Sequence, residues 1–346
     1  MTRLNLPDSV RLICGDLVPP RARPAGYAAL IGAYELAVPA PDELVAIGDR
    51  HTYRHEGRWR ILTPRYQPAE TIIAHLEFAL RHQGVDLGVL NALFKVLPAA
   101  ELESWVRAEP TGQYARRTWF LYEWLTGRRL DLPDAPRAPY AAVLDPNQQY
   151  AIGGETVTRH RVRNNLPGTP DFCPLVRRTK ILDAILGHDL AGEASAVVRR
   201  TAPDLMARAA AFLLLEDSKA SYVIEGERPP QDRIQRWGRA IGEAGQVSLT
   251  GEELERLQRI VIGDARFVHM GWRSAGGFVG GRDRDTNAPL PEHISARAED
   301  IKSLIHGLVA YTQRSEVGAL ADSDEAAVRW AKSARSCGGR SRPGRA

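Results

Sequence analysis

The sequence predicts a mainly helical protein, and three observations predict it. Apolar residues recur at helical spacing over long stretches: Tyr27, Leu30, Ile31 and Tyr34, then Ile72, Ile73, Leu76 and Leu80. Leu205, Met206, Ala209, Ala210, Leu213 and Leu214 make a stripe wide enough for a helix buried on most sides. Thr250-Gly251-Glu252-Glu253 is a capping box that opens a further helix, with Leu254, Leu257 and Val261 inward.

The chain of 346 residues is long enough for two domains. Hydrophobic content of 44% and charged content of 25% are ordinary for a soluble globular protein. The net charge of +4 is too dilute to favour nucleic acid as a partner. Of 46 basic residues only Lys95, Lys180, Lys219, Lys302 and Lys332 are lysine, a bias that points to GC-rich coding. Cys14, Cys173 and Cys337 stand far apart with no metal-ligand spacing, so neither zinc nor a disulfide framework is expected. No run of 18 apolar residues and no apolar leader occurs, so a cytoplasmic protein without a membrane partner is expected.

In order, residues 1–25 read as an extended Pro- and Arg-rich arm, and 26–131 as a mostly helical accessory module. Within it, Arg50–Leu62 alternates around Glu56-Gly57 as a short hairpin. Leu87–Val106 has helix-turn-helix proportions; its acidic second half (Glu101, Glu103) favours ordinary helix packing over DNA reading. Residues 115–125 are dense in aromatics. Trp119, Tyr122 and Leu125 fit the last helix of a core better than a docking surface. Residues 132–173 read as a linker and hairpin arm, with Pro133, Pro136 and Pro139 opposing a helix and a turn at Gly153-Gly154. The run Arg159–Arg163 is basic and reads as a solvated edge strand rather than a phosphate contact.

Helices return over 174–325, where Ile234, Trp237 and Ile241 mark one and Ala298, Ile301, Ile305 and Leu308 another. Two stretches stand out there. Ser221-Tyr222-Val223-Ile224-Glu225-Gly226 closes an apolar helix; read locally, Gly226 supplies a left-handed C-terminal cap. Val268–Gly281 is glycine-rich around Phe278-Val279. It reads as a hairpin or, less well, as a phosphate-binding loop, for which it lacks both Gly-x-Gly-x-x-Gly and a Walker lysine.

Taken together, these stretches resemble the Fic (Fido) domain family over roughly residues 175–325, in the family's order. Ser221, Glu225 and Gly226 match its inhibitory helix motif. There the glutamate pairs with an arginine of the catalytic loop and competes with the γ-phosphate of ATP for the guanidinium fork. Gly276, Gly277, Phe278, Val279, Gly280 and Gly281 match the target-docking flap, a hairpin that holds a target backbone by strand addition. Pro289–Ile294 resembles the proline stretch that follows the flap. The resemblance implies a helical bundle with a β-hairpin flap, ATP and Mg²⁺ as cofactors, and transfer of AMP from ATP to a protein hydroxyl.

The family's catalytic loop, His-Pro-Phe-x-x-Gly-Asn-Gly-Arg, is absent, so no catalytic or metal-ligating residue is assigned. None of the nine histidines replaces its base, His306 included. Residues 326–346, rich in Arg, Gly and Ser, read as a disordered basic tail, in keeping with out-of-frame translation of GC-rich DNA or with nucleic-acid binding. The expectation is a partial Fic domain, truncated before its catalytic loop and inactive alone. The alternative is a non-catalytic interaction or regulatory protein that docks a protein target or a partner Fic protein through flap and inhibitory helix. A homo-oligomer stays open.

Overall fold

The computed structural model describes residues 3–5, 12–188, 190–202, 231–242, 247–262 and 270–313, with residues 205, 212, 213, 216, 220 and 223 between them. The chain divides into two compact units, Met1–Pro170 and Asp171–Ala346.

The mainly helical expectation is corrected. Of the described residues helix makes up 42% and strand 17%, with the strands in four small sheets. The physical reason is local. Leu44–Gly48 is a short, fully buried apolar run, which periodicity alone does not distinguish from a buried helical segment. Other strands are only two or three residues long and carry no period at all.

In the first unit, β1 (Leu12–Ile13) and β2 (Asp16–Leu17) form a small hairpin. Next come β3 (Ala22–Pro24), α1 (Tyr27–Tyr34), β4 (Leu44–Gly48), β5 (Arg54–Glu56) and β6 (Trp59–Leu62). Their sheet has the order β3-β4-β6-β5, with β4 and β6 parallel and the other pairs antiparallel. The β5–β6 hairpin turns at Gly57, whose φ of 58° suits glycine. Part of the residue 1–25 arm is thus an edge strand of this sheet, while Leu4 N–H bonds Glu70 C=O (3.0 Å).

Four helices follow: α2 (Ile72–His82), α3 (Leu87–Val96), α4 (Ala99–Ala108) and α5 (Gln113–Thr126). Thr71 and Asp86 cap α2 and α3 by accepting the N–H groups of Ala74 (3.2 Å) and Val89 (3.0 Å). In α4, Leu102, Trp105 and Val106 are buried, so the helix-turn-helix proportions serve packing. Along α5 every residue from Ala115 to Tyr122 is buried, because α3 and α4 pack on it as well as β7 (Ala141–Ala142) and β9 (Val162–Asn164).

The third sheet has the order β7-β9-β8, with β8 at Glu155–Val157. Its hairpin turns at Thr158–Arg161, not at Gly153-Gly154, and β9 is the central strand rather than a solvated edge. Gly154 (φ 74°) instead lies under the backbone of Asn164 and Asn165, where a Cβ would collide. The Pro-rich stretch at 132–139 belongs to this unit: Leu130 and Leu132 are buried, and Ala135 N–H bonds Arg159 C=O (2.7 Å). Side-chain amides stitch the loops. Gln149 exchanges two hydrogen bonds with the Val85 backbone, and Asn165 two with that of Leu144.

The second unit contains α6 (Lys180–Leu186), α7 (Leu190–Arg200), α8 (Gln231–Gly242), α9 (Gly251–Ile262), β10 (Phe278–Arg282), β11 (Pro289–Ile294) and α10 (Ile301–Gln313). Thr250 caps α9 by accepting the Glu253 N–H (3.1 Å), while the Glu253 carboxylate turns to Arg256 (2.7 Å). Gly307 on α10 admits the backbone of Phe172, whose ring meets buried Tyr311 at 5.7 Å.

Candidate functional site

Of the residues expected to form a flap, Phe278 to Gly281 lie on the first strand of a hairpin, with Gly276 and Gly277 just before it. β10 pairs with β11 antiparallel, Phe278 opposite Ile294 and Arg282 opposite Pro289, with a bulge at Val279/Gly280. The proline stretch is therefore the second strand of the hairpin rather than a segment following it. Asp283 starts the turn, its carboxylate accepting the N–H groups of Asp285 (3.1 Å) and Thr286 (2.8 Å).

Proline chemistry makes the two edges of this hairpin unequal. Asp283 N–H donates to Ala288 C=O (2.8 Å), and Ser295 N–H donates to Gly277 C=O (2.9 Å), which fixes the direction of the backbone groups at both ends. By alternation Leu290 and Glu292 point at β10. Pro289 and Pro291 occupy outward positions, where they have no N–H to offer. Of the outward positions on β11, only Ile294 carries a donor. Phe278, Gly280 and Arg282 turn N–H and C=O groups outward from β10, and among the described residues no third strand covers them. Among the described residues, one edge is blocked by proline and the other is unpaired.

The flap glycines differ in what they do. At Gly280 φ is 143°, and a Cβ there would collide with the Leu290 carbonyl and lie 2.8 Å from Glu292 N. Around Gly276 and Gly281 nothing stands within 4 Å of a Cβ position, which leaves room for an approaching chain. The Arg282 guanidinium lies 5.4 Å from the Phe278 ring centroid on the same face, and its Nη1 donates to Asn287 C=O (3.0 Å). Val279, Leu290 and Ile294 are exposed.

Ser221, Glu225 and Gly226 lie outside the described residues, as do His269 and the tail from residue 314. The structure therefore brings together only the flap part of the sequence-derived site. His306 is exposed on α10, its Nδ1 3.8 Å from Asp171. Among the described residues no group of three His, Cys, Asp or Glu side chains is placed to hold a metal, and no helix is long and apolar enough to cross a membrane.

A strongly perturbed carboxylate lies in the first unit, at a cluster that sequence reading missed. Glu123 on α5 accepts from Trp119 Nε1 (2.8 Å), Leu130 N (2.9 Å), Arg159 Nη2 (2.9 Å) and His160 Nε2 (2.9 Å). Burial works to raise its pKa, but the hydrogen bonds from Arg159, Trp119 and Leu130 together with His160 hold it at about 2. Burial in turn lowers the pKa of His160, against the pull of Glu123. With every oxygen of Glu123 engaged, the cluster holds the 130–135 segment and the β8–β9 turn onto α5 and has no lone pair to spare for chemistry. The sequence signal was the unusual pair Arg159-His160 beside a tight turn, with its partner 36 residues earlier. In comparisons with known proteins, no family model, no curated protein and no solved structure matches the chain.

Proposed function

We propose that the chain is a peptide-docking protein of the Fic (Fido) type that binds an extended segment of a partner protein along β10 and does not itself transfer AMP. The observation that carries the reading is the asymmetric hairpin: an open β10 edge with three outward donor–acceptor pairs, beside an edge disarmed by Pro289 and Pro291. Supporting it, the hairpin stands where the resemblance expects the flap, and open space surrounds Gly276 and Gly281. The family's reaction needs a histidine base, a carboxylate for Mg²⁺ and a phosphate-binding loop. The sequence contains none of that loop, so ATP and Mg²⁺ do not fit the residues present and no step is routed through them.

Peptides selected from a displayed random library test the reading. Arg282→Pro, which removes one outward N–H of β10, is expected to weaken binding about tenfold. Ile294→Pro, which removes the last donor of the opposite edge, is expected to leave it unchanged. Loss of binding on Ile294→Pro with retention on Arg282→Pro would overturn the assignment of the edge. Labelled AMP transferred from ATP to any protein by the purified chain would contradict the non-catalytic reading.

A further inference from the structure

A second candidate site lies in the first unit, and it does not depend on the docking reading. One face of α2 presents Glu77, Phe78 and Arg81 at helical spacing. The 3₁₀ turn Pro64–Tyr66 faces it across a concavity of about 370 Å³, which falls within the size range of small-ligand sites. The wall is aromatic: the rings of Tyr66 and His82 meet edge to face at 5.5 Å, and Phe78 lies against His82 at 4.8 Å. Two guanidinium groups border it. Arg65 stands 4.7 Å over the Tyr66 ring and donates to the Tyr66 hydroxyl (2.9 Å), with no carboxylate at ion-pair distance among the described residues. Arg81 is paired with Glu77 at 2.5 Å, hydrogen-bonds Tyr114 and lies 5.0 Å from that ring's centroid. Burial, with Arg81 and Arg60 nearby, lowers the pKa of His82 and favours its neutral form. The concavity therefore carries one uncompensated positive charge beside a ring wall.

We infer that this concavity binds a small planar aromatic phosphate of mononucleotide size or below, with its ring on Tyr66 and His82 and its phosphate on Arg65 and Arg81. Stacking on the wall selects the ring. The charge selects an anion, and a phosphate presents three oxygens that meet both guanidinium forks, whereas a carboxylate is satisfied by one. Glu77 competes with the ligand for Arg81, so it sets affinity rather than contributing to it.

Calorimetric titration of the full-length chain with phenyl phosphate, uridine monophosphate and inorganic phosphate tests this. Saturable binding of at least one aromatic phosphate is expected, about tenfold tighter than inorganic phosphate. Arg65 is exposed, so Arg65→Gln is expected to fold normally and to weaken that binding about tenfold. Glu77→Gln, which removes the carboxylate competing for Arg81 and leaves its contact with Tyr114, is expected to tighten it about threefold, a gain that a merely structural role for Glu77 would not give. No saturation with either aromatic phosphate, equal affinity for inorganic phosphate, or indifference to Arg65→Gln would overturn the inference.

Discussion

The two units place their apolar residues differently. In the first, the described residues form five helices and three sheets that bury Trp105, Trp119, Phe94, Leu76 and Leu80, all essentially inaccessible to water. In the second, the buried apolar side chains among the described residues are Ile234, Ala240 and Tyr311, while Ile181, Ile185, Val197, Val279, Leu290 and Ile294 are exposed. Burial of apolar area is the main favourable term in folding. Among the described residues, the first unit thus buries most of its large apolar side chains, while those of the second lie largely at the surface.

The sharpest way to break this contrast is a cavity in the first unit. Trp105→Ala is expected to lower its stability by about 4 kcal/mol in urea unfolding, since a fully buried ring is lost. Amide exchange in the β10–β11 hairpin should stay unchanged. Next in size is Glu123→Ala, expected to cost about 3 kcal/mol, because it removes the carboxylate of His160 and leaves Arg159 paired with the exposed Asp134 alone.

Titration gives the same cluster a second signature. The pKa of Glu123 is depressed from 4.5 to about 2, so its contribution is complete above pH 4.5 and is lost as pH falls towards 2. Burial lowers His75 from 6.5 to about 4, so the folded state resists its protonation and stability falls as pH drops through that window. Acid unfolding monitored by tryptophan fluorescence should therefore begin below pH 6.5, and His75→Leu should reduce the loss at its upper end, leaving the share of His82 and His160.

In the second unit, Gly280→Ala is expected to cost about 2 kcal/mol locally, read as faster exchange of the Leu290 and Glu292 amides. At the small end, Ile181→Ser on exposed α6 should change thermal stability by no more than about 0.5 kcal/mol. A large loss there would place Ile181 in a core and erase the contrast.

The features legible in the sequence are those with a local cause. The apolar spacing of Ile72, Ile73, Leu76 and Leu80 marks α2, Thr250 caps α9, and Glu56-Gly57 turns the β5–β6 hairpin. Each depends on residues within a few positions of one another. The parallel pairing of β4 with β6 was not legible, because Leu44–Gly48 carries no alternation and parallel register depends on residues beyond the strand. Nor was the fate of Arg159 and His160, which read as a solvated basic strand and instead turn inward onto Glu123. Charge pattern does not reveal which opposite charge will share the interior. At the candidate site, the glycines and prolines were legible one by one. That Pro289 and Pro291 face the same way became clear only from the register, since one further bulge would have turned one of them inward.

The most direct test of the docking account is hydrogen exchange at the amides of Phe278, Gly280 and Arg282, with and without a saturating library-selected peptide. The account predicts slowed exchange at these three outward amides, with the Ile294 amide on the opposite edge unaffected. Slowing at Ile294 alone, or no change at the three β10 amides in a saturated complex, would contradict it.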